Sequence, residues 1–378
     1  MKTAAIIGAI ACMAFTKAAV AQLNVTTSPL RPDYVAVMQA LDKDEVQIDP
    51  TVTIIHHDGM FLSETRRDDR TSIGFGPDRN EPMLRWSRQA DGEVTLLELF
   101  LGSRKPDLPN AGTPRSTGNV STISGERCAW RETVDNPISP ATSLVREQNC
   151  VTDDGIVIET KLLTPDEVPI YHTRLASLTR RPVALSEIEP PPEIMAPEFW
   201  LRPIRSHDAD PSKPDFDITL ERAGHPTIRL LRHYPWNAWE RHVPDGPVSI
   251  RIWNELDDQG ISYFQASGYR RLTAERVTGG NARAFDFNDA SGKVALDRTE
   301  TILGETCQWF DIMPGMQEVG NRQCLTRDGL PLKLDMGGTN ATLPYTATSL
   351  RRRPVDLSEM QLPPDAFLLK EWGLFTVR

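Results

Sequence analysis

Apolar and polar residues alternate over short runs along much of the chain. Ser249-Ile-Arg-Ile252 and Leu332-Lys-Leu-Asp-Met336 place every second side chain on one apolar face, which is the period of a half-buried strand. Asp154-Gly155 and Asp328-Gly329 lie between strand-like runs, and Asp-Gly supplies the positive φ angles of a tight hairpin turn. Arg31 to Lys43 is the best helix candidate, with Tyr34, Val35, Met38 and Leu41 near one face. The 30 prolines argue against much helix elsewhere. The pattern predicts a mainly β (α+β) protein of antiparallel sheet with a few short helices.

The strongest organising signal is internal. Thr122-Ile-Ser-Gly-Glu-Arg-Cys-Ala-Trp130 matches Thr301-Ile-Leu-Gly-Glu-Thr-Cys-Gln-Trp309 at six of nine positions. Cys150-Val-Thr-Asp-Asp-Gly-Ile156 matches Cys324-Leu-Thr-Arg-Asp-Gly-Leu330 in its Cys, Thr, Asp and Gly. Ser177-Leu-Thr-Arg-Arg-Pro-Val-Ala-Leu-Ser-Glu187 matches the segment Ser349–Glu359 at nine of eleven, and this offset holds to Trp200 and Trp372. Blocks in the same order in both halves indicate a tandem duplication. The first copy is expected at 22–200 and the second at 215–378, joined by a Pro-rich, extended linker at 201–214. Thr53-Ile-Ile-His-His57 also aligns with Arg229-Leu-Leu-Arg-His233, which sets Glu64 against Glu240.

Residues 1–21 read as a secretory signal peptide. Lys2 is followed by the apolar run Ala4–Phe15 and by the small-x-small pattern Ala19-Val20-Ala21. The run is too short to span a bilayer, and no later segment is long and apolar enough. A periplasmic or secreted protein of bacterial type is expected. Net charge is −10, and becomes −12 when Lys2 and Lys17 leave with the leader. An acidic chain repels phosphate backbones, so nucleic acid is an unexpected partner.

Export removes Cys12 and leaves Cys128, Cys150, Cys307 and Cys324. An even count in an oxidising compartment favours disulfides, and the repeat selects Cys128–Cys150 and Cys307–Cys324. Each closed loop stabilises by about 3 kcal/mol on the chain-entropy model. Redox catalysis would call for Cys-x-x-Cys or a lone activated thiol, and neither occurs. Trp130 and Trp309 each follow the first cysteine of their copy by two residues, so on a strand each shares that cysteine's face. Each is a core residue on its cystine or an aromatic wall of a ligand site.

Gly-Glu-x-Cys-x-Trp, Cys-x-Thr-x-Asp-Gly and Arg-Pro-Val-x-Leu-Ser-Glu followed by Pro-Pro, behind a leader, resemble periplasmic domains of the lipoprotein-localisation (LolA/LolB-like) type. The resemblance implies an incomplete antiparallel barrel, covered by short helices, around an apolar cavity for acyl chains. Here it implies two such barrels in tandem. This chain departs from that pattern in its duplication and in a cystine per copy.

The remaining chemistry is sparse. His56-His57-Asp58 is the only histidine cluster, and adjacent strand residues point to opposite faces, so the pair cannot share one metal on a regular strand. His57 could face Glu64 across a hairpin, and His233 could face Glu240. No phosphate loop, nucleophile elbow or nucleophile–base pair is evident, so no cofactor, metal or catalytic residue is assigned. Arg180-Arg181 and Arg352-Arg353 occupy matched positions and are candidate anion clamps, or solvated strand ends paired with local acids. The leading expectation is an exported, non-enzymatic binding protein holding a lipid or other hydrophobic ligand, with Trp130, Trp309, Arg180, Arg181, Arg352 and Arg353 as candidate binding residues. The alternative is a cell-envelope protein-interaction or sensor module without a small ligand. A third reading is a metal-dependent hydrolase using His57 and Glu64 or their second-copy equivalents.

Overall fold

The computed structural model describes residues 32–374 apart from 68, 78–82, 102–113, 136–144, 165, 203–212, 244–245, 257, 278–292, 313–320 and 337–343. The leader, its cleavage site and most of the 201–214 segment lie outside the described residues.

The first half contributes β1 (Tyr34–Leu41), β2 (Gln47–His57), β3 (Met60–Arg66), β4 (Arg70–Pro77), β5 (Met83–Gln89), β6 (Val94–Leu101), β7 (Arg115–Ile123), β8 (Glu126–Asp135), β9 (Val145–Thr152), β10 (Val157–Leu163) and β11 (Pro169–Arg180). The second contributes β12 (Phe216–Glu221), β13 (Thr227–His233), β14 (Trp236–His242), β15 (Val248–Asn254), β16 (Asp258–Ala266), β17 (Tyr269–Val277), β18 (Val294–Ile302), β19 (Glu305–Asp311), β20 (Asn321–Leu325), β21 (Pro331–Met336) and β22 (Tyr345–Arg351). In both halves the strands pair in one order. The seventh to eleventh run side by side, the eleventh pairs with the first, and the first to sixth follow. The protein is mainly β and antiparallel, as the pattern predicts. The strands form one large open sheet, with no closed barrel among the described residues.

The predicted helix at Arg31–Lys43 is a strand. Along β1 burial alternates, with Tyr34, Ala36, Met38 and Ala40 inside. Tyr-Val-Ala-Val-Met-Gln-Ala-Leu is apolar at nearly every position, so it fits a period of 2 as well as 3.6, and pairing with β2 and β11 decides. Helical structure among the described residues is confined to short turns after β11 and β22, such as Pro197–Trp200 and Leu369–Trp372.

The two halves meet edge to edge. β6 pairs antiparallel with β17, with Leu97 opposite Ala274, Glu98 opposite Thr273 and Leu99 opposite Leu272. The sixth strands of the two halves therefore meet antiparallel, about a pseudo-two-fold axis. Arg271 reaches Glu98 across this seam at 2.9 Å. One apolar core runs beneath it, from Phe75, Leu84, Trp86 and Leu97 to Ile252, Tyr263 and Leu272. The tail after each half covers this core and crosses the seam. Pro197–Trp200 packs on β16 and β17, and Leu369–Trp372 packs on β6. Trp200 and Trp372 are fully buried, and their Nε1–H groups donate to Ile194 O and Ala366 O. Each half also has a smaller core around its cystine. Both free ends of the sheet, β7 and β18, are broken by bulges after Ser116 and Ala295, a device that blunts edge-to-edge pairing.

Candidate functional site

The disulfides Cys128–Cys150 and Cys307–Cys324 form as the repeat predicts. Each anchors a cross-strand ladder. In the first half Trp130 lies opposite Cys150, Cys150 opposite Glu159 and Glu159 opposite Arg174. In the second half the corresponding ladder is Trp309, Cys324, Lys333 and Thr346. The backbones match and the side chains diverge.

Around Trp130 the ladder opens into a cleft of about 470 Å³, lined by Ser121, Thr122, Ile123, Ser124, Trp130, Glu159, Lys161 and Arg174. Trp130 is half-buried, donates its Nε1–H to Ser121 Oγ at 2.9 Å, and has Lys161 Nζ 5.5 Å from its ring. Glu159 is only 2% exposed. Its carboxylate meets His172 Nε2 at 2.7 Å, Arg174 Nη2 at 3.2 Å and Lys161 Nζ at 3.3 Å. Burial pushes this carboxyl up. Hydrogen bonds from Arg174 and His172 and the charges of Lys161 and Arg174 outweigh that, so it stays below its usual range. Glu45, on the β1–β2 turn at φ 60°, reaches over the cleft to Arg174 at 2.9 Å and Lys161 at 3.7 Å.

At the matching place in the second half, Glu300 stands where Ser121 does, each paired with the first cysteine of its half. Lys333 stands where Glu159 does. Lys333 Nζ meets Glu300 at 2.5 Å, and Trp309 Nε1–H donates to Glu300 at 3.1 Å. Trp309 is 3% exposed, with Arg298 4.8 Å from its ring. The ion pair occupies the position that is open in the first half.

The other sequence candidates sit at strand ends. Arg180 ties Asp154 of the β9–β10 turn, at 2.6 Å, to Glu126 of the β7–β8 hairpin, at 2.9 Å. Arg352 does the same with Asp328 and Glu305. Arg181 binds Glu187 bidentately, and Arg353 binds Glu359 together with Asp217. These arginines hold Glu187 and Glu359 down to about 2. All four guanidinia are thus engaged by acids of the chain itself.

The structure corrects the histidine pairing. Glu64 lies opposite Thr53 and bonds Arg66, while His57 Nδ1 lies 3.0 Å from Asp33. Likewise Glu240 lies opposite Arg229, and His233 Nδ1 lies 3.0 Å from Asp215. Asp33 also accepts the Val183 N–H, and Asp215 the Val355 N–H, so each aspartate clips the start of its half to the following tail. Burial pushes the Asp33 carboxyl up, and the Val183 N–H, His57 and the Asp58 N–H more than offset it. Sequence reasoning missed both aspartates. The signal was present in Arg31-Pro-Asp-Tyr34 and Lys213-Pro-Asp-Phe216. Among the described residues no group of three or more His, Cys, Asp or Glu could hold a metal, and no helix is long and apolar enough to cross a membrane.

No family model matches the chain, and no curated protein matches it. Solved structures do. An uncharacterized conserved protein from Thermus thermophilus is 10% identical, with 42% of this chain and 85% of that chain covered, at a TM-score of 0.28. The Pseudomonas aeruginosa MucA/MucB complex is 11% identical, with 67% and 90% covered, at 0.25. PNGF-II is 9% identical, with 58% and 42% covered, at 0.24. All three scores are below 0.5, and no assignment of family or function rests on them.

Proposed function

We propose that this chain is an exported, non-enzymatic binding protein of the bacterial cell envelope whose first half carries the binding surface. The observation that carries this reading is the contrast between the open, charged Trp130 cleft and the filled Trp309 position on matching backbones. A buried carboxylate shared among cations, as Glu159 is, adds little net stability, and such groups concentrate at functional sites. Export is supported by the leader and by two cystines, which persist in oxidising compartments. The cleft lies beside exposed apolar residues. Ala40 of β1 pairs with Ile48 on one side and Thr173 on the other, which brings Val46 and Ile48 to the same end of the sheet as Val168, Ile170 and Tyr171.

A carried lipid is the other reading. The LolA/LolB-like resemblance would place it on the apolar face of the sheet, and there Trp200, Trp372 and the tails already fill the core. This favours an envelope partner at the first half. Photo-crosslinking in a periplasm, from a probe at Ile170 and from a control probe at Val294, tests it. One defined product from Ile170 alone supports the reading. A lipid-range mass on the native protein, lost on organic extraction, would replace it with the carrier.

A further inference from the structure

We propose that the Trp130 cleft binds a pyranose-sized ring carrying one carboxylate or phosphate group, which takes the place of Glu45 on Arg174 and Lys161. This rests on the reading of the first half as the binding half, and names its ligand.

The charge balance sets the ligand's sign. Lys161, Arg174 and Glu159 line the cleft, and together they carry one net positive charge. Glu45 balances it in this structure, but from outside the lining. It is 52% exposed and sits on a turn. Exposed ion pairs contribute little net stability, so an incoming anion displaces Glu45 with little loss. Glu159 cannot leave in the same way, since it is buried and shared by three partners. Arg174 meets both carboxylates through Nη2, so the group that holds Glu45 is the one freed for the incoming anion.

The lining sets the ligand's shape. Trp130 is the one aromatic among the described lining residues, and Ser121, Thr122 and Ser124 line the cleft along β7 and the turn after it. A flat apolar surface next to hydroxyls and fixed charges matches a sugar ring, which has an apolar face and a polar edge. The volume falls within the range of about 300–1,000 Å³ usual for small-ligand sites. An acyl chain is excluded by the polar lining. A divalent cation is excluded by two resident cations against one resident carboxylate.

The test is calorimetric titration of the disulfide-intact full mature chain with glucuronate, glucose 1-phosphate, glucose and inorganic phosphate. One or both anionic sugars bind, glucose binds at least about tenfold more weakly, and inorganic phosphate binds more weakly than glucose 1-phosphate. Whichever anionic sugar is preferred separates the carboxylate from the phosphate source. Glu45→Gln tightens binding severalfold, since it removes the competing anion. Arg174→Gln abolishes binding, and Arg174→Lys restores part of it, which separates lost charge from lost folding. If neither anionic sugar binds to wild type or to E45Q, or glucose binds equally well, or inorganic phosphate matches the sugar phosphate, the inference is wrong. The Ile170 crosslink reads the broader function independently, so its survival alongside failed titrations removes this inference alone.

Discussion

The positions around Trp130 and Trp309 share a cystine, a strand order and a hairpin register, yet one is an open charged cleft and the other is filled. Two exchanges lie next to the Trp, beside Arg174 against Thr346 on the last rung. Ser121 is replaced by Glu300 and Glu159 by Lys333, so a carboxylate and a partner trade strands. In the second half the pair is self-contained and lies against the Trp. In the first half the carboxylate sits across the sheet, surrounded by His172, Arg174 and Lys161. The two halves thus share a backbone arrangement and a cystine each, while the charge pattern differs on one face.

The largest expected effects come from crossing the two patterns. Glu159→Lys alone removes the shared carboxylate and adds a cation beside Arg174 and Lys161, and should destabilise by about 3–5 kcal/mol. Lys333→Glu sets a second carboxylate against Glu300 and should act similarly. Adding Ser121→Glu to Glu159→Lys rebuilds the second-half pair, so part of the loss returns and the cleft closes. Urea midpoints at pH 7 measure all three. A cost below about 1 kcal/mol for Glu159→Lys would show that the two exchanges do not define the difference.

Next come the cystines, where the halves should agree. Replacing Cys128 and Cys150 with Ala, or Cys307 and Cys324, opens loops with sequence separations of 22 and 17. The chain-entropy model gives about 3 kcal/mol for each. Because one core spans the β6–β17 seam, both variants should still melt in a single transition by calorimetry. Two transitions would break the picture of two halves sharing one core.

Acid sharpens the comparison further. Glu187 and Glu359 are held at about 2 by Arg181 and Arg353, from an ordinary 4.5. Folded-state values below the unfolded value mean that the contribution is present above 4.5 and is lost as pH falls toward 2. These two acids occupy matched positions, so their losses should be alike. Glu159 and Glu300 are also held low, against burial, by their cationic neighbours. Glu240 has the opposite sign. Burial raises it, so its ionised form opposes folding and its protonation relieves that as pH falls. Thermal melts from pH 7 to pH 2 should therefore fall more steeply for wild type than for Glu187→Gln.

The antiparallel fold, the cystine pairs and the Asp-Gly hairpins were legible because each rests on a local rule or on the repeat. Gly155 and Gly329 do carry positive φ angles, at 87° and 78°. The β1 strand was illegible because an almost wholly apolar run carries no period. The cleft was illegible for a different reason. Glu45, Glu159, His172 and Arg174 come together only through the pairing of β1, β10 and β11, and the repeat hides them because the second copy has different residues there. Repeat matching finds what both halves keep, such as Arg180 and Arg352, and these turn out to bind acids of their own turns. The divergent positions between matched blocks hold the candidate site.

The smallest effects concern the two tryptophans themselves. Trp130→Phe and Trp309→Phe each delete one Nε1–H donor. Trp130 donates to a neutral hydroxyl in an open cleft, where water can replace the lost partner. Its loss should cost under about 1 kcal/mol. Trp309 is buried and donates to the Glu300 carboxylate, a charged acceptor that also holds Lys333. Hydrogen bonds to charged groups contribute about 1.5–3 kcal/mol, so Trp309→Phe should cost about 2 kcal/mol. The same contrast predicts that acrylamide quenches the emission lost in Trp130→Phe more readily than that lost in Trp309→Phe. Equal costs and equal quenching would mean that the first-half cleft is closed in solution, and the asymmetry on which its binding role rests would disappear.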